Sequence, residues 1–160
     1  MGSRKAVTPS DAEIAACQTA TRDLVGVALR SLELLDGKVS LPQFRMLTVL
    51  HEIGWCPSSR VATELGLGAS SITRLADRLE AAGHVVRGHN PANRSMVTLG
   101  LTASGKRLVE RVLDWRRAEL ARILGRLDPD DRAALAAGML RLHEAVGEQY
   151  AGDLHGPVPL

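Results

Sequence analysis

The chain has 160 residues, 45% of them apolar, which suits one domain with a real core and excludes a disordered tail. A formal net charge of only +2 says little as a sum, so the distribution of charge has to be read instead. Two cysteines, Cys17 and Cys56, exclude a disulfide framework, and with no signal-peptide pattern and no apolar run of membrane-spanning length a soluble cytoplasmic protein is expected.

In chain order, Ser10 and Glu13 form a capping box for a first helix running to about residue 35. Its apolar stripe is Ile14, Cys17, Leu24, Ala28, Leu32 and Leu35, widened by Val25 and Leu29, and such a face needs a partner. Asp36-Gly37-Lys38 closes that helix, and Ser40 with Gln43 caps the next, with Pro42 tolerated in its first turn. Phe44, Leu47 and Leu50 make the core face of this second helix, Gly54 ends it, and Trp55-Cys56-Pro57 reads as a short extended connection.

Residues 58–80 describe two short helices meeting at a tight corner. Val61, Ala62 and Leu65 give the first an apolar face, and Gly66 and Gly68 supply a corner tolerant of positive φ. Ile72, Leu75 and Leu79 then recur at helical spacing and turn Ser70, Ser71, Thr73, Arg74, Asp77 and Arg78 outward. Hydroxyls near a helix N-terminus suit phosphate oxygens, and an arginine fork suits guanine in a major groove.

After Gly83 the period becomes strand-like at residues 84–88 and 95–101, around a polar tip at residues 89–94 that includes His89, Asn93 and Arg94. A basic-tipped hairpin directly after such a helix describes a winged helix, whose wing places an arginine in the minor groove. No acid lies between Glu80 and Glu110, while Arg87, Arg94, Lys106 and Arg107 fall inside that run. Thr102 caps a long helix to about residue 126, with Leu108, Val112, Trp115, Leu120, Ile123 and Leu127 on one face. Asp128 and Pro129 start a last helix carrying Leu135, Met139, Leu142, Val146 and Tyr150. The first helix and the last two present more apolar face than one copy buries, which predicts a dimer interface.

The runs SLPQF at 40–44, VATELGL at 61–67, SSITRLADRLE at 70–80, NPANR at 90–94 and LTASG at 101–105 occur in that order, and together they resemble the MarR family. The resemblance implies a mainly α fold with a small β-hairpin wing: a winged helix-turn-helix at residues 40–101, flanked by N- and C-terminal dimerisation helices at 10–35 and 102–150. It implies a homodimeric transcription factor on a pseudo-palindromic double-stranded DNA operator, often a repressor, and many members are released by a small aromatic or phenolic acid. Carried onto this chain, Ser70, Ser71, Thr73, Arg74 and Arg78 belong to the recognition helix, Arg94 to the wing tip, and Ser58, Ser59 and Arg60 lie near the DNA backbone. Arg87, His89 and Asn93 complete the expected DNA-binding set. Phe44, Leu47, His51 and Trp55 line one side of the second helix, close to where the family's ligand cleft would lie. The chain departs from the pattern in three places: Gly68 replaces a capping hydroxyl, Asn90 and Asn93 replace two wing acids, and Ser95 replaces a second arginine.

Catalytic and metal chemistry find little support. His51-Glu52 and His143-Glu144 lack the second histidine of a zincin helix, and the five histidines have no ligand spacing. No glycine-rich phosphate loop follows a strand and no nucleophile elbow is present, so neither an enzyme nor a cofactor is expected. Ala15, Ala16 and Thr19 surround Cys17, which predicts an inert, packed thiol. With Asn93 in place of an acid, the wing is expected to gain order on DNA. Two alternatives stay open: a winged-helix module that binds another protein, and a redox- or metal-sensing member of the same family.

Overall fold

The computed structural model describes residues 8–90 and 93–146, with side chains for all of these except 89, 90 and 93–96. Helix α1 spans Asp11–Ser31 and begins with the expected box: the Ser10 amide donates to Glu13 Oε2 at 2.7 Å and the Glu13 amide donates back to Ser10 Oγ at 3.3 Å. Its last expected turn tightens into a 3-10 helix at Leu32–Leu35, which stops where Asp36 and Gly37 take positive φ. Helix α2, Leu41–Ile53, starts from the Ser40/Gln43 box, with the Ser40 amide donating to Gln43 Oε1 at 2.7 Å. The connection after it pairs as a strand, β1 (Cys56–Pro57), which its two residues are too few to announce by alternation.

Helices α3 (Ser58–Leu65) and α4 (Ala69–Ala81) meet at Gly66, whose φ of 62° lies in the left-handed region that glycine reaches without a steric cost. Strands β2 (Val85–Asn90) and β3 (Asn93–Leu101) form the hairpin, and the sheet order is β1-β3-β2, antiparallel throughout. Cys56 pairs with Leu99 and Arg87 also pairs with Leu99, so β3 lies between the other two strands.

One core holds these elements together. Met46, Leu47 and Leu50 of α2 pack with Val61 and Leu65 of α3, Ile72, Ala76 and Leu79 of α4, and Val85 and Leu99 of the sheet. Burying each of the larger of these side chains stabilises the fold by roughly 1.5–3 kcal/mol. Helix α5 (Ala103–Leu124) joins with its first half, through Leu108, Val109 and Val112. Polar links tie α5 to the end of α1 and to the 3-10 turn after it: Arg116 Nε donates to the fully buried Ser31 Oγ at 2.6 Å, and Arg111 donates to the Leu34 carbonyl at 2.8 Å.

Beyond Val112 no described residue is buried. Helix α6 (Pro129–Val146) has no buried residue, and Ile14, Leu24, Leu29, Ile123, Leu127, Leu135, Met139 and Leu142 are exposed on α1, α5, α6 and the turn between the last two. Tyr150, expected on the apolar side of α6, lies outside the described residues. Cys17 corrects an expectation: within this chain it is exposed, because α1 buries only Ala28 and Ser31 at its C-terminal end. Amphipathic spacing shows that a face needs cover and does not say which chain supplies it. Among the described residues no helix is long and apolar enough to cross a membrane.

Candidate nucleic-acid interface

Helix α4 turns Ile72, Ala76 and Leu79 into the core and leaves Ser70, Thr73, Arg74, Asp77 and Arg78 exposed, with Ser71 half-buried. Gly68 is its N-cap and offers no side chain, so the amides of its first turn keep no side-chain acceptor; Ser71 N reaches the Gly68 carbonyl at 3.0 Å. Such amides, at the positive end of the helix dipole, suit an anionic oxygen. The Thr73 hydroxyl donates to the Ala69 carbonyl at 3.0 Å, so its proton is held inside the helix and its oxygen faces out as an acceptor. Arg74 Nε reaches the Ser70 carbonyl at 3.4 Å, which leaves both terminal nitrogens of this exposed side chain without a partner among the described residues. Arg78 is exposed and makes no ion pair among the described residues. In α3, Ser58 is half-buried at the first turn, and Ser59 and Arg60 are exposed, with Arg60 3.7 Å from Glu64.

Arg87 has a different place from the one its charge suggests. From β2 it reaches back to α4, where one terminal nitrogen sits 2.6 Å from Asp77 Oδ1 and 3.3 Å from the Thr73 carbonyl, and the other 3.1 Å from Glu80 Oε2. The guanidinium expected to face phosphate thus ties the wing to α4 and neutralises two carboxylates on that helix. Nothing in the local sequence flags this, because the partners stand in another element. The expected wing-tip residues His89, Asn93 and Arg94 have side chains outside the described residues.

The base of the wing is held by α5. Thr102 Oγ1 donates to the Gly83 carbonyl at 2.7 Å and accepts from the Gly105 amide at 3.1 Å, capping the helix. A Cβ on Gly105 would overlap the His84 carbonyl, so the small residue lets α5 lie against the start of β2. His84 Nδ1 is 3.3 Å from Ser104 Oγ, and burial holds its pKa below the usual histidine value.

The four residues expected to line a ligand site differ in burial. Phe44 and Leu47 are core, 4% and 0% exposed, and His51 is half-buried. Trp55 is 59% exposed, with its indole against Gly88 and Gly100 of the sheet. Among the described residues no group of three or more His, Cys, Asp or Glu side chains could hold a metal ion.

Similarity to known proteins agrees with this geometry. A model of the MarR family matches residues 39–95. The chain is 32% identical over 108 residues to the uncharacterized HTH-type transcriptional regulator YfiV of Bacillus subtilis, covering 68% of each chain. It is 32% identical over 107 residues to the HTH-type transcriptional repressor MdtR of the same organism, covering 67% of this chain and 69% of that one. Among solved structures it resembles RV1404 from Mycobacterium tuberculosis, with a TM-score of 0.82 and 33% identity over 91% of this chain and 100% of that one.

Proposed function

The chain belongs to the MarR family of helix-turn-helix, DNA-binding transcriptional regulators, and from that premise we propose that it represses transcription in the cytoplasm as a homodimer on a pseudo-palindromic duplex operator. The observation that carries this reading is the outer face of α4, which runs from an uncapped N-terminus through Arg74 to Arg78 in the last turn, both arginines with donors unclaimed by acids among the described residues. A bidentate arginine contact to guanine contributes roughly 1–3 kcal/mol of base discrimination, and the first-turn amides, with Ser59 and Arg60, are suited to the flanking phosphates. The family resemblance puts Arg94 in the minor groove and counts Asn93 and His89 in the same DNA-binding set. A second copy covers the exposed apolar faces of α1, α5 and α6 and sets two recognition helices about one turn of DNA, roughly 34 Å, apart. The name of MdtR as a repressor supports the sign of regulation.

Release by a small aromatic ligand belongs to the same reading and rests on the family resemblance. Because Phe44 and Leu47 are core, it is tested by screening aromatic carboxylates for loss of DNA affinity, not by mutating those residues. The deciding experiment selects duplexes from a random pool on the purified protein, then measures stoichiometry and salt dependence on the selected site. Two chains per duplex are expected, with affinity falling about 0.9 log units per log unit of salt for each phosphate contacted. A monomer at micromolar concentration, or a pool that yields no preferred duplex, overturns the proposal.

A further inference from the structure

Trp55 lies on the outer face of the wing sheet, where a large ring is not needed for the core. Cys56 pairs with Leu99, so one step further along the antiparallel register Trp55 stands opposite Gly100. Cys56 and Leu99 point inward, 6% and 1% exposed, and alternation therefore sends Trp55 and Gly100 outward. Gly100 is nevertheless buried, and what covers it is the indole: a Cβ there would stand 2.5 Å from Cδ2 and 2.8 Å from Nε1 and would overlap Cε2. On β2, diagonal to Gly100 in the register, a Cβ at Gly88 would stand 3.0 Å from Cζ3 and 3.4 Å from Cη2 of the same ring. Neither glycine has a positive φ, so the backbone does not require glycine at either position. The ring does. Two strands lack a side chain where the indole lies, while β1 itself contributes only two paired residues to hold the sheet.

We propose that Trp55 is a positioning residue for the wing: its indole, seated in the groove left by Gly88 and Gly100, fixes the angle at which the hairpin leaves the helix-turn-helix and thereby the sequence selectivity of DNA binding. Arg87 holds the hairpin to α4 from one side, and Trp55 braces its open face. The inference rests on the DNA-binding reading for its consequence, but not for the contact itself.

The test is a cycle of Trp55→Ala, Gly100→Ala and the double variant, with Trp55→Phe as the conservative control. Amide exchange of residues 85–101 is followed in the DNA-free protein, and preference is measured as the affinity ratio between the selected duplex and a scrambled one at fixed salt. Each single variant is expected to speed wing exchange and lower the preference about tenfold, within the range of coupling seen for residues in contact, while affinity for scrambled duplex stays within about twofold. In the Trp55→Ala background Gly100→Ala should add nothing, since the clash is gone, and Trp55→Phe should keep most of the preference. Wing exchange unchanged in Trp55→Ala, or independent effects of the two substitutions, overturns the proposal; should Gly100→Ala fail to fold, Trp55→Ala and Trp55→Phe decide it. A random pool that yields no preferred duplex sinks the DNA-binding reading and the selectivity consequence with it, and the exchange data still decide whether the ring holds the wing.

Discussion

Removing the Arg87 guanidinium separates a DNA contact from an internal clamp. In Arg87→Ala, α4 loses a partner at 2.6 Å from Asp77 and 3.1 Å from Glu80, with the three side chains 31%, 53% and 41% exposed. Exposed pairs contribute about 0.2–1 kcal/mol each, and one fixed guanidinium serving two acids and a carbonyl places the sum at roughly 1–2 kcal/mol. For a chain of this length that is a fall in Tm of about 2–8 °C by thermal unfolding, smaller at high salt. The DNA assay gives the sharper result, because the clamp predicts a reversal of sign. Asp77→Asn should weaken operator binding in the parent protein, by loosening the wing. In the Arg87→Ala background it should strengthen binding, by removing a carboxylate left bare beside phosphates. Unchanged Tm in Arg87→Ala, together with a salt slope reduced by about one and an Asp77→Asn effect independent of Arg87, would refute the clamp and restore Arg87 as a phosphate contact.

Three further outcomes are expected. Thr102→Ala removes the cap of α5 and the hydrogen bond to Gly83, and should cost about 1–2 kcal/mol in denaturant unfolding without changing the salt slope of DNA binding. Burial lowers the pKa of His84 in the folded state, so the unfolded chain takes up that proton first. Its stability is full above the unfolded value of about 6.5 and falls as pH drops from there towards the lowered folded value, and His84→Gln should flatten that part of a Tm-against-pH curve. Leu135→Asp with Leu142→Asp places charge on α6, which has no buried residue, and should leave helix content intact while sedimentation shows monomers and operator affinity collapses.

What the sequence by itself determined is local. The two capping boxes at Ser10/Glu13 and Ser40/Gln43, the left-handed corner at Gly66 and the buried stripe of Ile72 and Leu79 rest on spacings of one to seven residues, and the neighbours that satisfy them arrive with the helix itself. The family motifs at residues 40–105 name the fold for the same reason, since those at 40–44, 61–67 and 101–105 mark a cap or a corner and that at 70–80 carries the stripe of one helix. What only the tertiary structure decided is which distant group each remaining side chain meets. The charge of Arg87 suits a phosphate or a carboxylate equally, and the packing of β2 on α4 brings it to Asp77 and Glu80. Trp55 is apolar enough for a ligand pocket, yet the pairing of Cys56 with Leu99 carries it to the outside of the sheet, over two glycines that no local pattern connects to it. Cys17 sits on an apolar stripe that the described residues leave open. Periodicity specifies the direction a side chain takes from its own backbone, whereas its partner is set by how whole elements pack, a long-range property carried by the core as a unit.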